Sequence, residues 1–129
     1  MRTTLSILLL ACFLSFLPVA SHAQSFSDYN LLGPLGGRLT NHDLKAIDKA
    51  ALPLLEDASL PIGTTRDWNN PQSGDQGTIK LLKRFEYTYE GAQLPCRQLR
   101  YHVQTKGNAD PYNYMLNRCK ASDGTWKIL

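Results

Sequence analysis

Two cysteines constrain this chain more than any other feature. Cys96 and Cys119 are centred on Gly107-Asn108, a natural turn pair. A hairpin folded there sets Cys96 directly opposite Cys119. The same register sets Leu99 against Leu116, Tyr101 against Tyr114 and Val103 against Tyr112, all on one face. The other face then pairs Gln98 with Asn117, Arg100 with Met115 and His102 with Asn113. A slip of one residue scrambles this sorting, so the cysteine pair and the apolar face support one register independently. Pro111 marks the start of the returning strand, and the true loop can exceed two residues.

The redox setting comes from the other end of the chain. MRTTLSILLLACFLSFLPVASHA has a short basic start at Arg2, an apolar run from Leu5 to Leu17 and a small-residue site at Ser21-His22-Ala23. We read residues 1–23 as a signal peptide cleaved after Ala23. The run before Pro18 is short for a membrane span, which needs ~20 apolar residues. Cys12 follows Leu9-Leu10-Ala11, but Leu10 is an unusual residue for a lipoprotein cleavage site. Export leaves two cysteines, an even pair that reads as a disulfide. The remaining chain holds 13 Lys and Arg against 11 Asp and Glu, a net charge of +2. It has no basic run, so nucleic acid is not implied.

Residues 24–39 are Gly- and Ser-rich and read as a flexible leader before a domain at 40–129. Thr40 can cap a helix, with Asp43 three residues on at its positive end. Leu44, Ile47, Ala51, Leu54 and Leu55 recur at helical spacing. Pro53 should kink or restart this helix, and Leu60-Pro61-Ile62-Gly63 should end it. From Ile79 to Tyr89 the odd positions are apolar, Lys83 excepted, so one apolar face is expected along a long strand. Asp123-Gly124 is a second tight turn, followed by a closing strand with Trp126 and Ile128 on one face. The expected fold is α+β: an N-terminal helix packed on an antiparallel sheet of four or five strands, stapled by one disulfide.

The sequence displays no convincing catalytic set. His42 lies in a helix N-terminal turn and His102 on the polar hairpin face, and nothing resembles G-x-S-x-G. Glu86 and Glu90 look solvated rather than tuned as an acid pair. Zinc requires clustered Cys and His, which are missing. The oxygen-rich stretch from Asp67 to Gly77, DWNNPQSGDQG, breaks a calcium pattern at Pro71 and has no closing Glu. Its Asn-Pro and Ser-Gly steps are turn dipeptides. The aromatic residues of the sheet region, Phe85, Tyr87 and Tyr89 among them, read as core.

Three spaced motifs, WNNPQSGDQGTI at 68–79, LPCRQLRYHV at 94–103 and NRCKASDGTWKI at 117–128, resemble the C-terminal domain of the rickettsial-type outer-membrane surface antigens. The matching residues are Trp68, Asn70, Pro71, Ser73, Gly74, Gly77, Cys96, Arg97, Cys119, Lys120, Asp123, Gly124 and Trp126. The resemblance covers about residues 33–129, including the helix. It implies a non-enzymatic cell-envelope protein, with no catalytic or metal-binding residues and no cofactor. The partner would be an envelope protein or outer-membrane component, and the location the periplasm, outer membrane or cell surface. The chain departs from the family's glycine-zipper segment, retaining only Gly33 and Gly36-Gly37, so no membrane-spanning segment is expected after signal removal. The alternative is a secreted binding or inhibitor module that recognises a protein or glycan through loops 69–77 and 106–111.

Closing a loop of about two dozen residues is worth roughly 3 kcal/mol in the chain-entropy model. Cys96→Ser or Cys119→Ser is therefore expected to lower the melting temperature markedly. A melt of the wild type that reducing agent leaves unchanged would count against the pairing.

Overall fold

The computed structural model describes residues 38–129. The expected signal peptide at 1–23, Cys12, the glycines at 33, 36 and 37 and the expected leader up to residue 37 lie outside the described residues. One helix, α1 (Asn41–Glu56), packs on a five-stranded antiparallel sheet of β1 (Thr65–Asn70), β2 (Asp75–Tyr89), β3 (Ala92–Gln104), β4 (Tyr112–Lys120) and β5 (Trp126–Ile128). The strands lie side by side in chain order, so each connection is a hairpin. This is the expected α+β arrangement with its Cys96–Cys119 disulfide.

The helix begins just after Thr40, an extended N-cap residue. Thr40 Oγ1 accepts from the Asp43 backbone N–H at 3.2 Å, and the Asp43 carboxylate accepts from the Thr40 N–H at 2.6 Å. Such a reciprocal cap satisfies two orphan donors, and a cap of this kind contributes about 1 kcal/mol. Ile47, Ala51, Leu54 and Leu55 form the buried stripe. Leu39, just before the cap, is buried in the same cluster, and Arg38 Nη1 donates to the Tyr112 hydroxyl at 2.8 Å.

Two expectations for the helix are corrected. It runs unbroken through Pro53, and it ends at Glu56 rather than at 60–63. Pro53 lies in the last turn, where its missing N–H removes a single late hydrogen bond. The Asp57 N–H then donates to Pro53 O at 3.0 Å and closes the end. The final turn has no basic residue to answer the helix dipole. Arg84 of β2 supplies that charge from the sheet, donating to the carbonyls of Leu60 and Asp57.

The β3–β4 hairpin has the register expected from the sequence: Cys96 opposite Cys119, Leu99 opposite Leu116, Tyr101 opposite Tyr114 and Val103 opposite Tyr112. Its loop spans residues 105–111, with Gly107 at a φ of 85° and Pro111 immediately before β4. Asp123 Oδ1 accepts from both the N–H and the hydroxyl of Thr125, which forms the turn into β5.

The long strand is corrected as well. Leu81 pairs with Leu99, but Lys83 pairs with Gln98, so Leu82 is an extra residue. A bulge of this kind reverses which face later side chains take. Ile79 and Leu81 therefore face the helix, whereas Phe85 lies on the same face as its partner Cys96, turned away from the helix. Tyr87 and Tyr89, expected in the core, are 44% and 53% exposed on that rear face. The core forms instead from α1, Trp68, Ile79, Leu81, Leu99, Tyr101, Val103 and Trp126.

Gly77 lies inside β2, between Trp68 of β1 and Val103 of β3. A Cβ there would come within 1.8 Å of His102 O and 2.8 Å of Trp68 Nε1. Backbone cannot yield as a side-chain tip can. Gly77→Ala is therefore expected to destabilise by more than about 3 kcal/mol. Gly107→Ala, at a positive φ but in open space, should cost about 1–2 kcal/mol. Chemical denaturation of both variants checks this, and equal losses would contradict the close-packing argument.

Candidate functional site

The motif residues assemble into two clamps that hold the helix on the front of the sheet. The first is centred on Asp43, which is fully buried. Its Oδ2 accepts from the Thr40 N–H at 2.6 Å and the Thr40 hydroxyl at 2.7 Å. Its Oδ1 accepts from Asn70 Nδ2 at 2.7 Å and the Ser73 hydroxyl at 2.6 Å. The turn after β1 presents those donors. Asn70 Oδ1 accepts from the Gln72 N–H, and the Gly74 N–H donates to Asn70 O at 2.8 Å. Pro71 opens the turn, and Gly74 adopts a φ of 79°. Burial raises the Asp43 pKa, but the bonds from Ser73, Thr40 and Asn70 outweigh it, so the carboxyl ends below its ordinary value.

The network continues into the third loop. Ser73 Oγ accepts from the Asp75 N–H at 3.1 Å, and Asp75 Oδ1 accepts from the Lys106 N–H at 2.8 Å. Loops 69–77 and 106–111 are thus brought together. They border an open depression of about 500 Å³ with Arg38.

The second clamp holds the other helix end. Glu56 accepts from Trp126 Nε1 at 2.7 Å and from Lys120 Nζ at 2.8 Å. The Lys120 bond, then that of Trp126, lowers the Glu56 pKa. The Arg97 guanidinium lies 5.5 Å from the Trp126 ring centroid. Between the clamps, Arg118 pairs with Asp48 at 3.2 Å and donates to Trp126 O at 3.2 Å. Tyr101 is buried beneath, which pushes its hydroxyl pKa up to about 12 against the pull of Arg118. Cys96 and Cys119 are buried on the rear of the sheet, and Asp123-Gly124 forms the turn that returns Trp126 to the front.

The rear face carries the remaining chemistry. Asp67 and Asn69 alternate with Trp68 and Asn70, so the oxygens of the DWNN stretch diverge to opposite faces. They do not form one cage. Among the described residues, no group of three His, Cys, Asp or Glu is placed to hold a metal ion. Across the strands run the rows Asp67–Thr78–His102–Asn113 and Thr65–Lys80–Arg100–Met115. His102 Nδ1 donates to Asn113 Oδ1 at 3.0 Å, which orients the ring. Two open depressions, about 580 Å³ and 400 Å³, share Thr78 and His102. His42 is exposed at the helix start.

Sequence reasoning placed Asp43 only as a helix-end residue and missed its contact with Asn70, which is 27 positions away. It also missed the Lys80–Arg100 juxtaposition. The Glu90-Gly91 step, a two-residue turn with positive φ at both positions, sets the start of the β2–β3 register, but on its own it places Lys80 opposite Tyr101; the extra residue Leu82 moves Lys80 opposite Arg100. No protein-family model, curated protein or solved structure matches the chain.

A group whose folded pKa is depressed contributes stability above its unfolded pKa and loses it as pH falls through the lower folded value. Asp43 is such a group, so its contribution should be complete above about pH 4 and disappear at lower pH. Asp43→Asn is expected to cost roughly 2–4 kcal/mol at neutral pH and to flatten the acid limb of the stability curve. Urea unfolding between pH 2 and 7 measures both. A parallel downward shift of the whole curve would contradict the ionised hub.

Proposed function

We propose that this chain is a non-enzymatic cell-envelope protein of the surface-antigen type, exported to the periplasm or outer membrane. Its role is structural or interactive: a rigid, disulfide-stapled domain that binds another envelope component. The observation that carries this reading is the use to which the motif residues are put. Trp68, Asn70, Ser73, Arg97, Lys120 and Trp126 are committed to holding the helix on the sheet, through direct bonds, ring contacts or core packing. This use of the motif residues supports a framework role. The buried Cys96–Cys119 bond is compatible with an oxidising compartment. Among the described residues, no helix is long and apolar enough to cross a membrane.

The second reading, a secreted binding or inhibitor module, is favoured by the junction of loops 69–77 and 106–111 through Asp75 and Lys106. A pull-down from envelope extract separates the two. A stable outer-membrane partner supports the first reading, and a soluble enzyme or free glycan the second.

Fractionation with intact-mass measurement tests the main reading. The expected result is an envelope-associated protein beginning after Ala23, lighter by two hydrogens than the reduced form. Cytoplasmic protein with free thiols would overturn it.

A further inference from the structure

The sheet carries two directly opposed pairs of like charge on β2 and β3, and they differ in surroundings. Arg84 and Arg97 face the helix side. Arg84 is answered by the carbonyls of Leu60 and Asp57, and Arg97 by its own Cys96 carbonyl and the Trp126 ring. Lys80 and Arg100 are the opposed pair on the rear. Among the described residues, neither side chain has a hydrogen bond or an ion pair. Like charges directly opposite one another destabilise a sheet. The rear pair therefore has a cost that no hydrogen bond or ion pair among the described residues offsets.

We propose that this rear face binds an acidic saccharide, with Lys80 and Arg100 holding its carboxylate. Opposed residues have Cβ atoms about 5 Å apart, so both cationic heads can converge on one carboxylate. The groups around them suit a sugar. The depression of about 400 Å³ adds the hydroxyls of Thr65 and Thr78, His102 and the Asn113 amide. Its neighbour of about 580 Å³ adds Asp67, Asn69 and Gln104. Asp67 repels an anion but accepts well from sugar hydroxyls, which gives the site a direction: acid group at Lys80 and Arg100, neutral hydroxyls toward Asp67. Met115, 62% exposed and opposite Arg100, offers an apolar surface to a sugar's C–H face. Trp68 borders the larger depression, but its side chain is buried in the core, so among the lining residues no exposed Trp, Tyr or Phe ring offers the stacking platform that single-stranded nucleic acid uses.

This inference rests on the reading of the domain as a binding frame, but not on where the protein resides, so fractionation and the following titration fail independently. Binding of an oligogalacturonate, which carries a carboxylate on every sugar, is measured by calorimetry at low salt with the domain intact. Saturable binding is expected, with none to a neutral malto-oligosaccharide of equal length. Lys80→Gln/Arg100→Gln should weaken it at least about tenfold, the scale of one charge-assisted hydrogen bond. It should leave the melting temperature equal or higher, because the like-charge repulsion is gone. Lys45→Gln/Lys49→Gln, which removes the same charge from the outer helix face, should change affinity less than about twofold. The proposal is overturned if oligogalacturonate does not bind, if both double variants lose affinity alike, or if anionic phospholipid vesicles compete more strongly than the sugar.

Discussion

One buried carboxylate holds this architecture in place. Asp43 accepts four hydrogen bonds, two from Thr40 and one each from Asn70 and Ser73. An isolated buried charge is costly, and it is tolerated here because every approach is met by a donor. The bonds are directional, so they set the position of the helix start and not merely its proximity. Glu56 provides a second fixed point, bonded to Trp126 and Lys120. The two acids are 13 residues apart, about 20 Å along the helix. Two points define a line, so the helix axis is set across the sheet from β1 to β5.

The parts legible in the sequence were those specified twice. The β3–β4 register was demanded by the cysteines and again by three apolar pairs. The helix start was marked by Thr40 with Asp43, and again by the apolar stripe that follows. The parts that were missed rest on single, long-range relations. Nothing near Asp43 in sequence announces Asn70 and Ser73 as its partners. Pro53 is a helix breaker by local rules, yet the packing of Leu54 and Leu55 in the core carries the helix past it.

The bulge at Leu82 was hidden for a different reason. Lys83 looked like an exception within one apolar face, when it marks a change of face. Alternation alone cannot separate those cases, because Phe85, Tyr87 and Tyr89 continue the odd positions regardless. The consequence is large. The extra residue turns Arg84 toward the helix end, where a cation is needed, and turns the three aromatic residues to the rear. It also leaves Lys80 and Arg100, one row before the bulge, on the rear face without the carbonyls that serve Arg84.

Structure and surface chemistry are therefore divided between the two faces. The helix, both clamps and the apolar core all lie in front, while Cys96 and Cys119 hold β3 to β4 from behind. Substitutions at exposed rear positions such as Lys80 and Arg100 touch none of the clamp groups, so their effects on folding and on binding are separable. A sheet that had to use both faces for its core would not allow this. Here one helix covers one side, and the other side carries open depressions. Residues such as Asn70 and Trp126 are required for shape because they meet the helix. The identity of Lys80 and Arg100 is free of that requirement, and it is there that the chemistry of a bound partner can be written into the sequence.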